Sequence, residues 1–484
     1  MTPGARNFIA AIAAFSALSF IAVQSPGQQK QAIGSAGSEN GGFEGTDVTE
    51  GQGEDPATGL DPTNPSIGPT SGTGPGAALP SKFQCAAGRN GGATDKGISA
   101  TKIKLASTHV QSGIGASFLG ASNVGMRAVV SQVNSTGGIC GRLVDLTLRD
   151  DGWDAARGAS FIQNFINGDY FALPVVPSSE GLTAAIKNGS IDRAGIPVVG
   201  TDGMLKEQYQ SPNVWPVATA TVSTMRIMAK HAFEKLGARS FGIVYDSQYK
   251  FGREGADAFK SYVSKLSGAK LKAFVGIQPG QPSYPQTTTF NSQCGGYCDF
   301  VAMLLEPGTA NTWIQSQGND EASGRKLGFG SKGTGGAQPL FNEQFAKNCR
   351  DACSGMMLWT GYVPAIGALQ NLPGVARYKN DTRKIDPGVD FSNQFLEGAY
   401  LGMQVFVDAL RKTGPELTRA RFKAVMDGFT MQTDLAAPLT WAKGRHYANV
   451  SAQAFSIVTA AGGFNGFRDA RTGFIKDPEP GNFG

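Results

Sequence analysis

Strand and helix patterns alternate along this chain in two separate series, and this alternation limits the fold more than any other feature of the sequence. The first series runs from residue 102 to residue 200, and the second runs from residue 223 to residue 360. Repeated strand–helix units pair their strands in parallel, because each helix carries the chain back to the start of the next strand. The sequence therefore predicts an α/β protein with two mostly parallel sheets flanked by helices.

The elements themselves are predicted from apolar spacing, with a period of two for strands and about 3.6 for helices. Strands are predicted at 102–107, 143–149, 171–176, 197–200, 240–245, 272–276, 300–305 and 355–360. Helices are predicted at 119–134, 155–166, 223–236, 252–266 and 394–413. The stretch 441–460 alternates again and predicts antiparallel strands.

Residues 134–154 read NSTGGICGRLVDLTLRDDGWD and combine a turn with a strand. The glycines accept positive φ, so the chain can reverse sharply there. Apolar and polar residues then alternate over 143–149, which predicts a half-buried strand. Interior strands of helix-covered sheets are apolar throughout, so this alternation indicates an edge strand. Asp154 is placed to cap the following helix.

The first 82 residues are predicted to lie outside the folded part. Residues 1–24 carry Arg6 and an apolar run, which fits a secretory signal peptide but is also near the lower length limit of an uncleaved membrane anchor. No cysteine precedes Cys85, so lipid attachment at this terminus is excluded. Residues 25–82 are rich in Gly, Pro and Ser and carry seven acids against two lysines, which predicts a disordered acidic linker. We therefore expect an exported protein, either extracellular or held at the cell surface.

An even number of cysteines follows the export signal, which predicts disulfides. They are Cys85, Cys140, Cys294, Cys298, Cys349 and Cys353. The two C-x3-C pairs could close locally or bridge neighbouring loops, and Cys85 would then pair with Cys140. A zinc site is disfavoured, because the two pairs are far apart in the sequence and no histidine lies near them.

The loops that follow the strands are where ligands bind in such sheets. These loops read THVQSGIGASF, PSSEGL, GTDGM, DSQYKFG, EPGTAN and FNEQF, and their small, hydroxylated and acidic residues suit a small polar molecule. A hydrolase is disfavoured because no G-x-S-x-G motif is present, and GFGSKG does not follow a strand as a dinucleotide site requires. The chain has a net charge of +5 but no run of basic residues, so nucleic acid is not an expected partner. We expect neither an enzyme nor a cofactor or metal.

From residue 103 to about residue 461 the chain resembles the type I periplasmic binding proteins, in the leucine/isoleucine/valine-binding branch of ABC-transporter receptors. The stretch 134–151 is the most specific match, supported by GIPVVGTDGM, FGIVYDSQYKFGREGADAFK and LEGAYLGMQVFVDALRKTG. The resemblance implies two lobes joined by three hinge crossovers. The implied parts are a first lobe of 83–219 plus 362–438, a second lobe of 220–361 plus 439–470, and a C-terminal tail of 471–484.

The resemblance also assigns ligand contacts in the first lobe. One contact loop falls on Ser178 and Ser179, where hydroxyls and backbone N–H groups would receive a ligand carboxylate, although Ser179 could instead only cap a helix. The second loop falls on Thr201, Asp202, Gly203 and Met204. Relatives usually carry small residues and then a Thr in this loop, so Asp202 and Met204 are departures, and the missing hydroxyl argues against an ordinary branched-chain amino acid as the ligand. An extra carboxylate favours a cationic or polyhydroxyl group on the ligand.

Further contacts are implied around the cleft. Tyr249 and Phe251 match an aromatic that covers the ligand, and Glu343 matches an acid that receives a ligand ammonium group. Glu306 ends a strand where relatives place a ligand-facing side chain, and Phe118 could supply an aromatic wall. The alternatives are core packing for Phe118 and a solvated loop position for Glu343.

The leading hypothesis is an exported, monomeric solute-binding receptor. It would capture an amino acid, an amide or a related metabolite by closure of its lobes and deliver it to an ABC permease in the membrane. The alternative is a tethered extracellular sensor or interaction protein with the same fold, which an apolar N-terminus retained on the mature protein would favour.

Overall fold

The computed structural model of the protein describes residues 85, 89–320, 325–448, 450–461 and 463–483. The predicted signal peptide or anchor at 1–24 and the predicted linker at 25–82 lie outside these residues. The described chain forms two lobes, each built on its own mostly parallel sheet with flanking helices. The α/β architecture expected from the sequence is confirmed.

The strands of both lobes are numbered in chain order. They are β1 (Lys102–His109), β2 (Leu143–Asp150), β3 (Leu173–Pro174), β4 (Val198–Val199), β5 (Val214–Trp215), β6 (Ser240–Asp246), β7 (Lys270–Ile277), β8 (Phe300–Leu304), β9 (Asn319–Asp320), β10 (Arg325–Lys326), β11 (Gly333–Gly336), β12 (Met357–Thr360), β13 (Thr430–Met431), β14 (Leu439–Thr440), β15 (Ser451–Ala460), β16 (Gly463–Asp469) and β17 (Ile475–Lys476).

The α-helices follow the same convention. They are α1 (Ala116–Leu119), α2 (Ser122–Ser135), α3 (Ala155–Asn167), α4 (Ser179–Lys187), α5 (Ser190–Ala194), α6 (Glu207–Gln210), α7 (Thr221–Glu234), α8 (Lys250–Lys265), α9 (Gln286–Cys294), α10 (Pro307–Gln315), α11 (Glu343–Cys349), α12 (Pro373–Ile385), α13 (Gln394–Thr413) and α14 (Arg419–Met426). Short 3₁₀ turns lie at Gln338–Leu340, Arg350–Cys353 and Gly367–Asn371.

The first lobe contains β1 to β5, all parallel. Strand β2 pairs with β1 alone among the described strands, so the predicted edge strand is confirmed. A parallel bridge between Leu105 and Ala172 links β1 to the ladder β3-β4-β5. Strands β3 and β4 are parallel neighbours, so their carboxyl ends lie side by side.

Asp154 caps α3 as expected, because its carboxylate accepts the backbone N–H of Arg157 at 2.7 Å.

The second lobe contains an eight-stranded sheet in the order β16-β15-β12-β11-β8-β6-β7, with β17 beside β15. Strands β6, β7, β8, β11 and β12 are parallel, and β15 joins β12 antiparallel. Strand β8 is buried along its whole length, as expected for a strand covered on both faces. The pairs β9–β10 and β13–β14 are short antiparallel ladders outside the large sheet.

Helix α13 belongs to the first lobe and has the bounds predicted from the sequence. The side chain of Asn393 caps it by accepting the backbone N–H groups of Phe395 and Leu396. The helix approaches β4 closely, because a Cβ added at Gly402 would lie 2.3 Å from the carbonyl oxygen of Gly200. Glycine at both positions thus lets the first turn of α13 reach the ends of β3 and β4.

The chain passes between the lobes three times, after β5, after β12 and before β15. Side chains tie these crossovers together. Gln338 Nε2 donates to the carbonyl oxygen of Thr219 (3.0 Å), Thr219 Oγ1 donates to that of Ser451 (2.6 Å), and Gln453 Nε2 donates to that of Tyr362 (2.7 Å). The crossovers therefore form one hydrogen-bonded hinge.

Three predicted elements differ from the structure. The strand expected at 171–176 is reduced to β3, because Val175 and Val176 adopt positive φ, which an extended strand excludes. The helix expected at 119–134 is split into α1 and α2, since the side-chain amides of Gln111 and Asn123 donate hydrogen bonds to the backbone carbonyl oxygen of Gly120. The strands expected across 441–460 begin only at Ser451. A turn around 443–444 interrupts the chain before them.

Residues 471–483, expected as a tail, pack against both lobes. Strand β17 pairs with β15, and Asp477 forms a buried ion pair with Arg226 of α7 at 2.6 Å. The ring of Phe483 stacks on Tyr209 of the first lobe, with ring centroids 4.2 Å apart. The end of the chain is therefore part of the folded structure.

The cysteines pair as Cys85–Cys140, Cys294–Cys298 and Cys349–Cys353. The two C-x3-C pairs thus close locally, which was one of the two alternatives. Within the described ranges, no group of three or more His, Cys, Asp or Glu side chains is placed to hold a metal ion. No helix among the described residues has the length and apolar character to cross a membrane.

Candidate functional site

A small cavity lies on the hinge side of the cleft, where β3 and β4 end. Its volume is about 20 Å³, enough for one water-sized group. The first lobe supplies Asp202 and the start of α13, and the chain segments near the hinge supply Tyr362 and Gln338. We call it the hinge-side cavity. It brings side chains from both lobes to one point.

Asp202 follows β4 and presents a carboxylate to this cavity. Its Oδ1 accepts hydrogen bonds from Ser179 Oγ (2.5 Å), Gln208 Nε2 (3.0 Å) and the backbone N–H of Met204 (3.2 Å). Its Oδ2 is buried and has no hydrogen-bond partner. Burial raises the pKa of Asp202 to about 6, and the three hydrogen bonds only partly oppose that rise. One carboxylate oxygen can therefore accept a hydrogen bond from a ligand.

Other polar groups beside the cavity also lack partners. Gln394, the first residue of α13, is 2% exposed, and neither its amide nitrogen nor its amide oxygen makes a hydrogen bond. Glu397, one turn further along, is fully buried but does not line the cavity, and the backbone N–H of Val363 lies within hydrogen-bonding reach of its carboxylate. Burial raises the pKa of Glu397 well above its ordinary value. Buried polar atoms are normally satisfied, so the unpartnered atoms of Asp202 and Gln394 make the cavity a candidate site for a polar group.

The first-lobe loops predicted from the sequence surround Asp202. Ser179 Oγ donates to Asp202 instead of capping α4, and no side chain caps that helix. The hydroxyl of Thr201 bonds to the side-chain oxygen of Gln208, which also accepts the backbone N–H of Gly203 at 3.2 Å. Ser178 is fully buried, and its hydroxyl faces the carboxylate of Asp151. Ser179 and Gln208 thus hold the carboxylate of Asp202 in place.

An aromatic contact closes the cleft between the lobes. Trp153 of the first lobe stacks on Tyr249 of the second, with centroids 4.0 Å apart and planes at 25°. Trp153 also lies 5.9 Å from Phe251 and 5.2 Å from Phe118. Phe118 continues the contact to Phe395, at 5.3 Å, and Phe395 lines the hinge-side cavity. The aromatic residues expected from the sequence therefore meet, around a tryptophan that was not expected.

Polar contacts join the lobes beside this aromatic cluster. Glu180 of α4 accepts the backbone N–H of Lys250 at 2.8 Å. The ammonium group of Lys250 bonds to the carboxylates of Glu207 and Glu254. Near the mouth of the cleft, Asp390 accepts the backbone N–H of Glu343 at 2.8 Å. The described structure is thus one in which the lobes touch.

A two-lobed α/β architecture with a cavity at the hinge agrees with the comparisons to known proteins. The model of the periplasmic binding protein family matches residues 102–463, which is most of the chain. The chain belongs to the periplasmic binding protein family. The resemblance drawn from the sequence is confirmed. No curated protein sequence matches significantly.

Solved structures similar to this periplasmic binding protein share its fold at low identity. A fatty acid ABC transporter substrate-binding protein from Thermomonospora curvata has a TM-score of 0.64 at 16% identity, over 81% of this chain and 95% of that one. A branched-chain amino acid transporter substrate-binding protein from Streptococcus pneumoniae, in complex with isoleucine, has a TM-score of 0.63 at 15% identity, over 78% and 100%. A solute-binding protein from Rhodopseudomonas palustris, in complex with 4-hydroxybenzoate, has a TM-score of 0.63 at 16% identity, over 78% and 98%.

The two second-lobe acids that were predicted to contact a ligand in this periplasmic binding protein, Glu306 and Glu343, have partners within the protein. Both carboxylate oxygens of Glu306 accept backbone N–H groups in the first turn of α10, from Gly308 (2.7 Å) and from Thr309. The carboxylate of Glu343 is 41% exposed and pairs with Lys347 at 2.6 Å. Neither residue lines the hinge-side cavity.

Sequence reasoning identified Asp202 but missed Gln338, Tyr362 and Gln394 as cavity residues. Gln394 and Glu397 are polar residues at the start of a long apolar helix, and that position was the available signal. Trp153, directly after the acidic end of β2, was also missed. Its positive φ of 62° is unusual for a bulky residue, and no sequence pattern shows it.

Proposed function

We propose that this periplasmic binding protein is the exported receptor of an ABC importer, and that it captures one small polar ligand between its lobes. The observation that carries the proposal is the hinge-side cavity, where buried polar atoms of Asp202 and Gln394 lack hydrogen-bond partners. Binding sites in this type of protein lie at the carboxyl ends of strands, which is where this cavity lies.

Ligand entry requires the lobes to separate. The cavity of about 20 Å³ admits one water-sized group, whereas a whole amino acid or amide is several times larger. Separation would break the contact of Trp153 with Tyr249 and that of Glu180 with the backbone of Lys250, both of which join the lobes. Closure on a ligand would then be a hinge motion about the three crossovers, which favours the closed form.

The remaining parts of the proposal rest on the sequence and on family membership. Residues 1–24 would direct export or anchor the chain, and residues 25–82 would act as a linker. The partner would be a permease in the membrane, and the receptor would act as a monomer. Phe118, Tyr249 and Phe251 stay proposed as ligand contacts, whereas the backbone hydrogen bonds of Glu306 and the exposed ion pair of Glu343 argue against those two residues.

The test is a thermal-shift screen of the full chain against amino acids, amides, amines, polyamines, sugars and aromatic acids. A ligand present at 100 times its dissociation constant adds about 2.7 kcal/mol of stability, which raises the melting temperature measurably. The shift should be lost in Gln394→Ala and kept in Glu416→Gln, whose carboxylate is 65% exposed and pairs with Arg421. If no class of compound raises the melting temperature, the receptor function is wrong.

A further inference from the structure

The loop that would receive a ligand carboxylate is already bound to a carboxylate of the protein. Ser179 Oγ donates to Asp202 Oδ1 at 2.5 Å, and Gln208 Nε2 donates to both Ser179 Oγ (2.9 Å) and Asp202 Oδ1 (3.0 Å). The backbone N–H of Met204 also points at this oxygen, at 3.2 Å. A ligand carboxylate at the hydroxyl of Ser179 would meet the like charge of Asp202. This contact argues against the carboxylate end of a ligand lying here.

Two of the three unpartnered polar atoms of the residues that line the cavity are acceptors. They are Asp202 Oδ2 and the amide oxygen of Gln394, and the third is the amide nitrogen of Gln394. Gln394 is an independent observation, because it is 2% exposed, lines the cavity and uses neither atom of its amide. An amide oxygen beside a carboxylate oxygen suits a group that donates several hydrogen bonds.

The size of the cavity selects among donors. About 20 Å³ holds one group the size of a water molecule, and an unsubstituted ammonium group is of that size and carries three N–H donors. A trimethylated ammonium group is far larger and has no N–H. The other walls include Val175, Pro177 and Phe395, which would contact an alkyl chain attached to the ammonium group.

Building on the proposed receptor function, we infer that the ligand is an organic primary amine whose ammonium group enters the hinge-side cavity and donates to Asp202 Oδ2 and to the amide oxygen of Gln394. The ligand class is thereby primary alkylamines and polyamines. The polarity of the site is the reverse of the one implied by the resemblance, in which the first lobe receives a carboxylate.

The charges around the cleft favour a cation. Glu180 acts on Asp202 as a like charge, and Asp246, Glu306 and Glu180 together act on Tyr249. Two bases act on these acids: Lys250, which is held by two other carboxylates, and Arg253, which acts on Glu180 and Asp246. The acids outnumber these two bases, and an excess of one sign of charge concentrates ligands of the opposite sign.

The test compares primary amines with matched molecules that lack the ammonium N–H groups. Isothermal titration of the full chain would use n-butylamine, 1,4-diaminobutane and spermidine, with n-butyltrimethylammonium and butyrate as counterparts. Titrations with potassium chloride and ammonium chloride at equal ionic strength test whether an inorganic cation binds in the same cavity. The proteins are the wild type, Asp202→Asn and the control Glu416→Gln. Circular dichroism checks that each variant is folded.

We expect at least one primary amine to bind at least 30-fold more tightly than n-butyltrimethylammonium and butyrate. Asp202→Asn should weaken that binding at least 30-fold, and Glu416→Gln should leave it within two-fold.

Several results would overturn the inference. The first is that n-butyltrimethylammonium binds as tightly as the primary amine, and the second is that Asp202→Asn binds the amine as tightly as the wild type. The third is that potassium chloride gives the same binding signal as the amine, and the fourth is that no amine binds. If an amino acid, sugar or aromatic acid from the wider screen binds instead, the receptor function stands and only the ligand class is wrong. If no compound of any class binds, both proposals fail.

Discussion

Several buried acids lie at the strand ends of the two lobes, and two that sequence analysis assigned to the ligand, Glu306 and Asp202, are used differently. Glu306, after β8, gives both oxygens to backbone N–H groups of α10. Asp202, after β4, gives one oxygen to the protein and leaves the other unpartnered beside a cavity. The first acid is satisfied by folding alone. The difference shows that a strand-end carboxylate is a binding candidate only when folding leaves part of it unsatisfied.

The largest expected effect concerns the stability of the ligand-free protein. The folded state holds the proton of Asp202 more tightly than the unfolded state, so its contribution to stability decreases as the pH rises from about 4 through about 6. Moving this pKa from its ordinary value to about 6 corresponds to as much as about 3 kcal/mol at pH 7.5. Asp202→Asn should therefore raise the free energy of unfolding by up to that amount, measured by chemical denaturation.

Acidic conditions supply the control for this variant. At pH 4.5 Asp202 is protonated in the folded state, and the gain from Asp202→Asn should shrink to about 1 kcal/mol. Asp151 and Asp246, whose pKa values burial raises to about 6 and about 7, titrate in both proteins, so the difference between the two isolates Asp202. Glu180 is the charged neighbour that raises the pKa of Asp202 further, and the phenols of Tyr209 and Tyr362 also face Asp202. If Asp202→Asn is less stable than the wild type at pH 7.5, the hydrogen bonds of the Asp202 carboxylate fully offset the cost of burying its charge.

The matching change in the second lobe should have the opposite sign. Glu306→Ala removes the acceptor of two N–H groups at the start of α10, and losing such a cap costs roughly 1–2 kcal/mol. Denaturation midpoints should fall accordingly, while the dissociation constant of the ligand found in the screen should change less than two-fold. A strong loss of affinity with unchanged stability would make Glu306 a ligand contact and remove the contrast with Asp202.

Sequence patterns determined the elements better than the site. The bounds of α13 and the edge strand β2 follow from apolar spacing, which depends on neighbouring residues only. The early end of β3 depends on the positive φ of Val175 and Val176, which no apolar pattern shows. The hinge-side cavity joins Asp202 to Gln394 through the close approach of Gly200 and Gly402. Such a contact joins residues that are far apart in the sequence. The sequence therefore showed that Asp202 departs from the loop of relatives, but it did not show that Gln394 lies beside it.

The smallest expected effect tests the second lobe as the receiver of an ammonium group. Glu343 is 41% exposed and pairs with Lys347 one turn along α11, and exposed pairs of this kind contribute about 0.5 kcal/mol or less. Glu343→Ala should therefore lower stability slightly, as Lys347→Ala should, and leave the dissociation constant within two-fold. Removing a charged hydrogen bond to a ligand would instead cost about 1.5–3 kcal/mol, or at least ten-fold in affinity. If Glu343→Ala lowers the affinity at least ten-fold and Lys347→Ala does not, the ammonium group binds the second lobe. The unpartnered oxygen of Asp202 then does not mark its site.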